Sequence, residues 1–197
     1  MKGQISLIAL TLAVSHTAFG SSECAAITDD QRRLSCYDAE YQPAVASQSV
    51  SEWQVSEETS PIDDSKTVVV KTISREEISN RFGRSSHANL VLRCHENTTS
   101  MYMTFAGNHM TDHQQYGRVT TRVDQKDAIS YNMSVSTDNR ALGLWSGSRS
   151  IPFLQSMFES ETLTVRATPY SESPITVQFP ISGLDKAVEP LREACNW

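Results

Sequence analysis

Four cysteines, at positions 24, 36, 94 and 195, constrain this chain of 197 residues more than any other feature. In an exported chain an even cysteine count points to disulfides rather than to a metal site or a catalytic thiol. Export is read from the first twenty residues. Lys2 precedes an apolar run from Ile5 to Val14, and Ala18-Phe19-Gly20 gives a small-x-small cleavage pattern. That run is about ten residues, well short of the ~20 an α-helix needs to cross a bilayer, and no later run is longer, so no membrane span is expected. Gly20 to Cys24 (GSSEC) lacks the apolar and small residues that lipoprotein processing needs before its cysteine. Cys24 is therefore read as half of a disulfide.

Which cysteines pair depends on the elements that carry them. Thr28-Asp29-Asp30-Gln31 fits a capping box with Thr28 at the N-cap, opening a helix from about Asp29 to Tyr41. Leu34, Tyr37 and Tyr41 share one face of that helix, and Cys36 lies on the other side. Near the middle of the chain, NLVLRC (Asn89 to Cys94) reads as a strand with Leu90, Leu92 and Cys94 on one face and Val91 with Arg93 on the other. The last segment, Gly183 to Trp197, reads as a helix that Pro190 kinks or divides, with Leu184, Val188, Leu191 and Cys195 on its buried side. An inward strand cysteine and a core-face helix cysteine can meet, so Cys94 is paired with Cys195. Cys24 and Cys36 remain. On one continuous helix they would stand ~18 Å apart, against the ~5.5 Å of a disulfide, so the residues before the helix must double back along it.

Short β-branched and apolar runs between turn signals supply the rest: Thr67 to Ile73, Asn89 to Cys94, Met101 to Phe105, Arg118 to Val123, Ile129 to Val135, Thr162 to Ala167 and Ile175 to Phe179. A helix, Pro152 to Ser160, interrupts them, with Leu154, Met157 and Phe158 on one side. Regular short strands of this kind predict a mainly β fold, an antiparallel β-sandwich with two packed helices, to which the stapled N-terminal helix is added. The expected organisation is a signal peptide over 1–20, a disulfide-stapled helix over 21–41, a small, polar linker over 42–52 and a β-sandwich with a C-terminal helix over 53–197.

Loss of the signal peptide removes Lys2 and leaves 16 of the 17 basic side chains against 23 acidic ones. That balance argues against nucleic acid or an anionic membrane as the main partner. Chemical motifs are sparse. His109 and His113 have the i, i+4 spacing of a zinc-binding helix, but Met110 stands where such a motif carries its general-base Glu, and glycines mark the segment as a loop. Asp63-Asp64 reads as a turn, Glu76-Glu77 as a solvated face, and Ser146 and Ser148 have no base beside them in sequence. Arg93 and Arg122 lie on strands, suited to an ion pair or to a partner. No cofactor is expected, and no catalytic or metal-binding residue is assigned.

With these elements in place the sequence resembles the TagO/VasI family of accessory proteins of the bacterial type VI secretion system. The resemblance covers nearly all of the mature chain. It rests on CAAITDDQRRLSCYD (24 to 38), WQVSEETSPIDDSKTVVV (53 to 70), NLVLRC (89 to 94), VTTRVD (119 to 124) and ATPYSESPITVQFPISGLDKAVEPLREACNW (167 to 197), in that order and spacing. It implies an exported, non-enzymatic component acting in the periplasm beside a contractile secretion machine, and brings no catalytic residues. Partners are then expected among type VI secretion system proteins of the cell envelope, with peptidoglycan a further candidate. The face of Leu34, Tyr37 and Tyr41 either docks on the protein's own β-domain or meets such a partner. Two other readings are a periplasmic metal-dependent cell-wall hydrolase built on His109 and His113, and a peptidoglycan-binding module using exposed aromatics.

Overall fold

The computed structural model describes residues 24–41 and 52–197, with the backbone alone for residues 38–41. The signal peptide expected over 1–20, nearly all of the linker expected over 42–52 and the side chain of Tyr41 lie outside what is described. The chain divides into two compact units, Met1–Ser47 and Gln48–Trp197.

In the first unit helix α1 spans Asp30–Tyr41. Its cap is Asp29 rather than the expected Thr28, because Asp29 Oδ1 accepts the Arg32 amide at 2.9 Å. A carboxylate one residue closer to the helix satisfies an orphan N–H and faces the positive end of the dipole, which a hydroxyl does less well. Arg33 pairs with Asp30 and also donates to the Ile27 carbonyl at 3.1 Å. The chain before the helix is thereby folded back. Cys24 and Cys36 meet in a disulfide with Cα atoms 5.5 Å apart.

The second unit holds ten described strands: β1 Gln54–Thr59, β2 Lys66–Ser79, β3 Ser85–His95, β4 Thr98–Phe105, β5 Arg118–Val123, β6 Ile129–Asn132, β7 Ser134–Val135, β8 Ala141–Leu144, β9 Thr162–Ala167 and β10 Ile175–Pro180. They form two antiparallel sheets, one ordered β1-β2-β3-β4-β8-β7 and the other β10-β9-β5-β6. Alternation along each strand builds one core from both. Leu90, Leu92 and Cys94 of β3 and Met101, Met103 and Phe105 of β4 meet Leu163 and Val165 of β9 and Val177 and Phe179 of β10. Five methionines are buried, at 101, 103, 110, 133 and 157.

Several elements depart from expectation for physical reasons. Ile129 to Val135 is not one strand: β6 pairs with β5 in the small sheet, whereas β7 pairs with β8 in the large one. The switch falls at Met133, whose amide donates to the Gly117 carbonyl at 2.8 Å. A Cβ on Gly117 would stand 2.7 Å from the Met133 carbonyl oxygen, so the crossing requires glycine there. In β2, Ile73 faces Asn89 but Glu77 faces His87, so Ser74 to Glu76 oppose Ala88 alone. The buried Ser74 hydroxyl repairs this bulge by accepting the Ala88 amide at 2.9 Å and donating to the Glu76 carbonyl at 2.7 Å. Glu76, expected to be only solvated, accepts the Gln178 amide of β10 at 2.8 Å and so ties one sheet to the other.

The expected helix at Pro152 begins earlier. Helix α2 spans Gly147–Gln155 and carries Pro152 inside it. Buried Ser150 anchors this earlier start, its hydroxyl 2.7 Å from both the Thr99 and Ser146 carbonyls. The C-terminal segment forms two helices, α3 Leu184–Ala187 and α4 Glu189–Cys195, with Pro190 in the first turn of α4, where its missing N–H costs nothing. Cys195 bonds Cys94 of β3 across a sequence separation of 101 residues.

Asp124, in the turn after β5, fastens the small sheet: its Oδ1 accepts the amides of Glu161 and Thr162 at 3.0 and 2.8 Å. Desolvation acts to raise its pKa, but these amides and the Ser160 hydroxyl outweigh it and hold the carboxyl below the ordinary 3.8. A lowered folded-state pKa contributes stability above the unfolded value, and that stability is lost as pH falls through the folded one. Two measurements follow. Asp124→Asn should be less stable than wild type near neutral pH, with the gap in melting temperature closing as the solution is acidified below 3.8. In denaturant unfolding, Cys94→Ala with Cys195→Ala should lower stability by about 4 to 5 kcal/mol, the chain-entropy value for a loop near 100 residues.

Candidate functional site

The outer face of the large sheet carries a cleft lined by Arg93, Tyr102 and Trp145. Since Leu92, Cys94, Met101 and Met103 point into the core, alternation turns Arg93, Tyr102 and Thr104 the other way. Tyr102 pairs in register with Gly143 of β8. A Cβ on Gly143 would stand 2.7 Å from Tyr102 Cβ and 2.8 Å from the Met101 carbonyl oxygen, so only glycine lets the phenol ring cross that strand. Tyr102 reaches Trp145 and stacks on it, with ring centroids 5.2 Å apart and planes inclined by 22°. The indole is fixed by its Nε1, which donates to the Ser134 carbonyl at 2.9 Å. The Arg93 guanidinium carbon lies 5.9 Å from the Tyr102 ring centroid.

The β7–β8 turn closes the far side. Ser136 donates to Asp138 Oδ1 at 2.6 Å, and the Arg140 amide donates to the same oxygen at 3.2 Å. The Ser136 hydroxyl, the Arg140 amide and the Arg140 charge keep the exposed Asp138 carboxyl below its ordinary pKa, so it is ionised at neutral pH. The cleft between this turn and the rings measures about 700 Å³, within the range of small-ligand sites. Arg93 Nε is buried beside it with no hydrogen-bond partner.

The residues singled out in the sequence fall in separate places. Leu34 is 63% exposed on α1, and Tyr37 is half-buried. His109 and His113 lie on a loop rather than a helix, with His109 edge-on to Tyr170 at 5.9 Å. Among the described residues no three His, Cys, Asp or Glu side chains gather as metal ligands. Asp63 sits in the β1–β2 turn, accepting the Ser65 hydroxyl at 2.8 Å, and the hydroxyls of Ser60 and Ser65 lower its pKa. The hydroxyls of Ser146 and Ser148 face one another at 3.2 Å. Arg122 is used locally, donating to the carbonyls of Lys126 and Gln125 at 2.9 and 3.2 Å. Arg93 is the strand arginine that faces a cleft. Tyr102, Gly143 and Trp145 were not singled out, although the parity of MYMTF places Tyr102 opposite Met101 and Met103.

Fold and cleft together define a disulfide-bonded protein of two antiparallel β-sheets with an aromatic recess on its larger sheet. The chain belongs to the type VI secretion system VasI, EvfG family, whose model matches residues 23–197, and it is thus a protein associated with that system. No curated protein matches it. Among solved structures it is similar to invasion associated protein B from Bartonella henselae, at 12% identity and a TM-score of 0.44, over 75% of this chain and 96% of that one.

The close approach at Gly143 makes a direct test of the recess. Gly143→Ala should lower unfolding free energy by about 1 to 3 kcal/mol, as overpacking does. It should also weaken the near-ultraviolet circular dichroism of the Tyr102–Trp145 pair.

Proposed function

We propose that this protein is a non-enzymatic adaptor or assembly factor of the type VI secretion system, exported by a cleaved signal peptide and working in the periplasm. Family membership supplies the system. Both disulfides, which leave no free cysteine among the described residues, support an oxidising compartment. No described helix is long and apolar enough to cross a membrane. The division into a stapled helix at 21–41, a linker at 42–52 and a β-domain at 53–197 is part of the same proposal.

The observation that carries the adaptor role is the exposure of Leu34, at 63%, on a helix of only 12 residues. A helix of that length is marginal in water without outside support, and the Cys24–Cys36 bond supplies it locally. Cys36 lies away from Leu34 around the helix, so the bond leaves Leu34 exposed, and the helix would meet another secretion-system protein through Leu34 and the expected face of Tyr37 and Tyr41 in a helix-in-groove mode.

Replacing Leu34 and Tyr37 together by Ala tests this. The melting temperature should stay within a degree or two of wild type while type VI secretion falls sharply in complemented cells. A large fall in melting temperature would instead make the face part of the protein's own packing.

A further inference from the structure

We infer that the cleft bounded by Arg93, Tyr102, Trp145 and the β7–β8 turn is a binding site for a saccharide bearing a carboxylate group. This goes beyond the adaptor role and stands on different residues. The first observation is the state of Arg93. Its Nε is buried without a hydrogen-bond partner, and no carboxylate among the described residues lies within ion-pair distance of its guanidinium. A buried N–H with no partner is rare in folded proteins, and an arginine fork matches a carboxylate in two parallel bonds. Only Tyr102 engages it in the described structure, through the ring face. Arg93 lines the cleft, so a ligand carboxylate entering there would meet the terminal guanidinium nitrogens, which form no ion pair in the described structure, and would neutralise a charge that the fold leaves without a counter-ion.

The second observation is the wall. Two stacked rings, half-exposed, offer a flat apolar surface to the C–H faces of a sugar ring. Gly143 exists in its present form to allow that stack, and the Trp145 hydrogen bond to Ser134 holds it in place. The third is the rim. Thr104, Thr137 and the Asp138 carboxylate line the same cleft and suit the hydroxyl groups of a saccharide. An apolar anion would leave these groups unmatched, and the strand edge beside the cleft is β7, whose two residues are too short to pair an extended peptide. The volume of about 700 Å³ accommodates one or two sugar rings.

Carboxylate-bearing sugars occur as muramic acid in cell-wall glycan and as uronic acids in acidic polysaccharides, and the test separates them. Purified oxidised protein is titrated with an N-acetylglucosamine–N-acetylmuramic acid disaccharide, with a glucuronic acid disaccharide and with uncharged chitobiose, following tryptophan fluorescence and calorimetry. At least one acidic sugar should saturate, and chitobiose should bind at least tenfold more weakly. Arg93→Gln should abolish that preference, Arg93→Lys should retain part of it, and Tyr102→Ala should weaken all binding tenfold or more. Trp145→Phe keeps a stacking ring should the alanine variant fail to fold, and it is read by calorimetry. Saturation by the muramic sugar alone assigns cell-wall glycan, and by the glucuronic sugar alone an acidic polysaccharide. Absence of binding at millimolar sugar, equal binding of chitobiose, or affinity unchanged in folded Arg93→Gln would each overturn the inference. Since Leu34 and Tyr37 are untouched, such a failure leaves the adaptor role standing.

Discussion

The bond from Cys94 to Cys195 decides how the β-unit holds together, because it joins an inner strand of the large sheet to the last helix of the chain. Everything between those two residues is placed inside one covalent loop: the crossing from β6 to β7 between the sheets, helix α2 and the whole hairpin of β9 and β10. The sheets share a core, and helices α3 and α4 add Leu184, Val188 and Leu191, all buried, to it. Short helices of 4 and 7 residues cannot persist alone, so the disulfide and the core contacts must keep them in place.

Sheet-to-sheet contact is reinforced by polar groups that look unremarkable in isolation. Glu76 reaches the Gln178 amide only because three residues of β2 bulge against one of β3. Trp53, buried just before β1, donates from Nε1 to the Ser182 carbonyl at 3.2 Å and so ties the entry of the unit to its final turn. Backbone groups left over at strand ends are thus satisfied by side chains distant in sequence, as close packing demands.

Inward faces were legible in the sequence because strand parity is a local property: Leu90, Leu92 and Cys94, or Met101, Met103 and Phe105, can be sorted without knowing their neighbours. The division at Pro190 was legible for the same reason. β1 was not, since QVSEET is exposed along its whole length and owes its extended form to pairing with β2. β8 was missed because ALGL is short and contains a glycine whose purpose depends on Tyr102 across the strand pair. The cleft was half legible. Parity puts Arg93 and Tyr102 on outer faces, but Trp145 follows a strand that sequence reasoning did not find, and only the β4–β8 register brings it beside them.

The five buried methionines carry a consequence for the life of the chain. Thioethers turn into polar sulfoxides wherever an oxidant reaches them, and a sulfoxide between two sheets would spoil the packing. The cysteines need oxidation; the methionines must be shielded from it. In the folded chain both hold at once: the cross-link from Cys94 to Cys195 is made and the thioethers lie out of reach. Resistance of these methionines to peroxide is thus a property the chain acquires by folding.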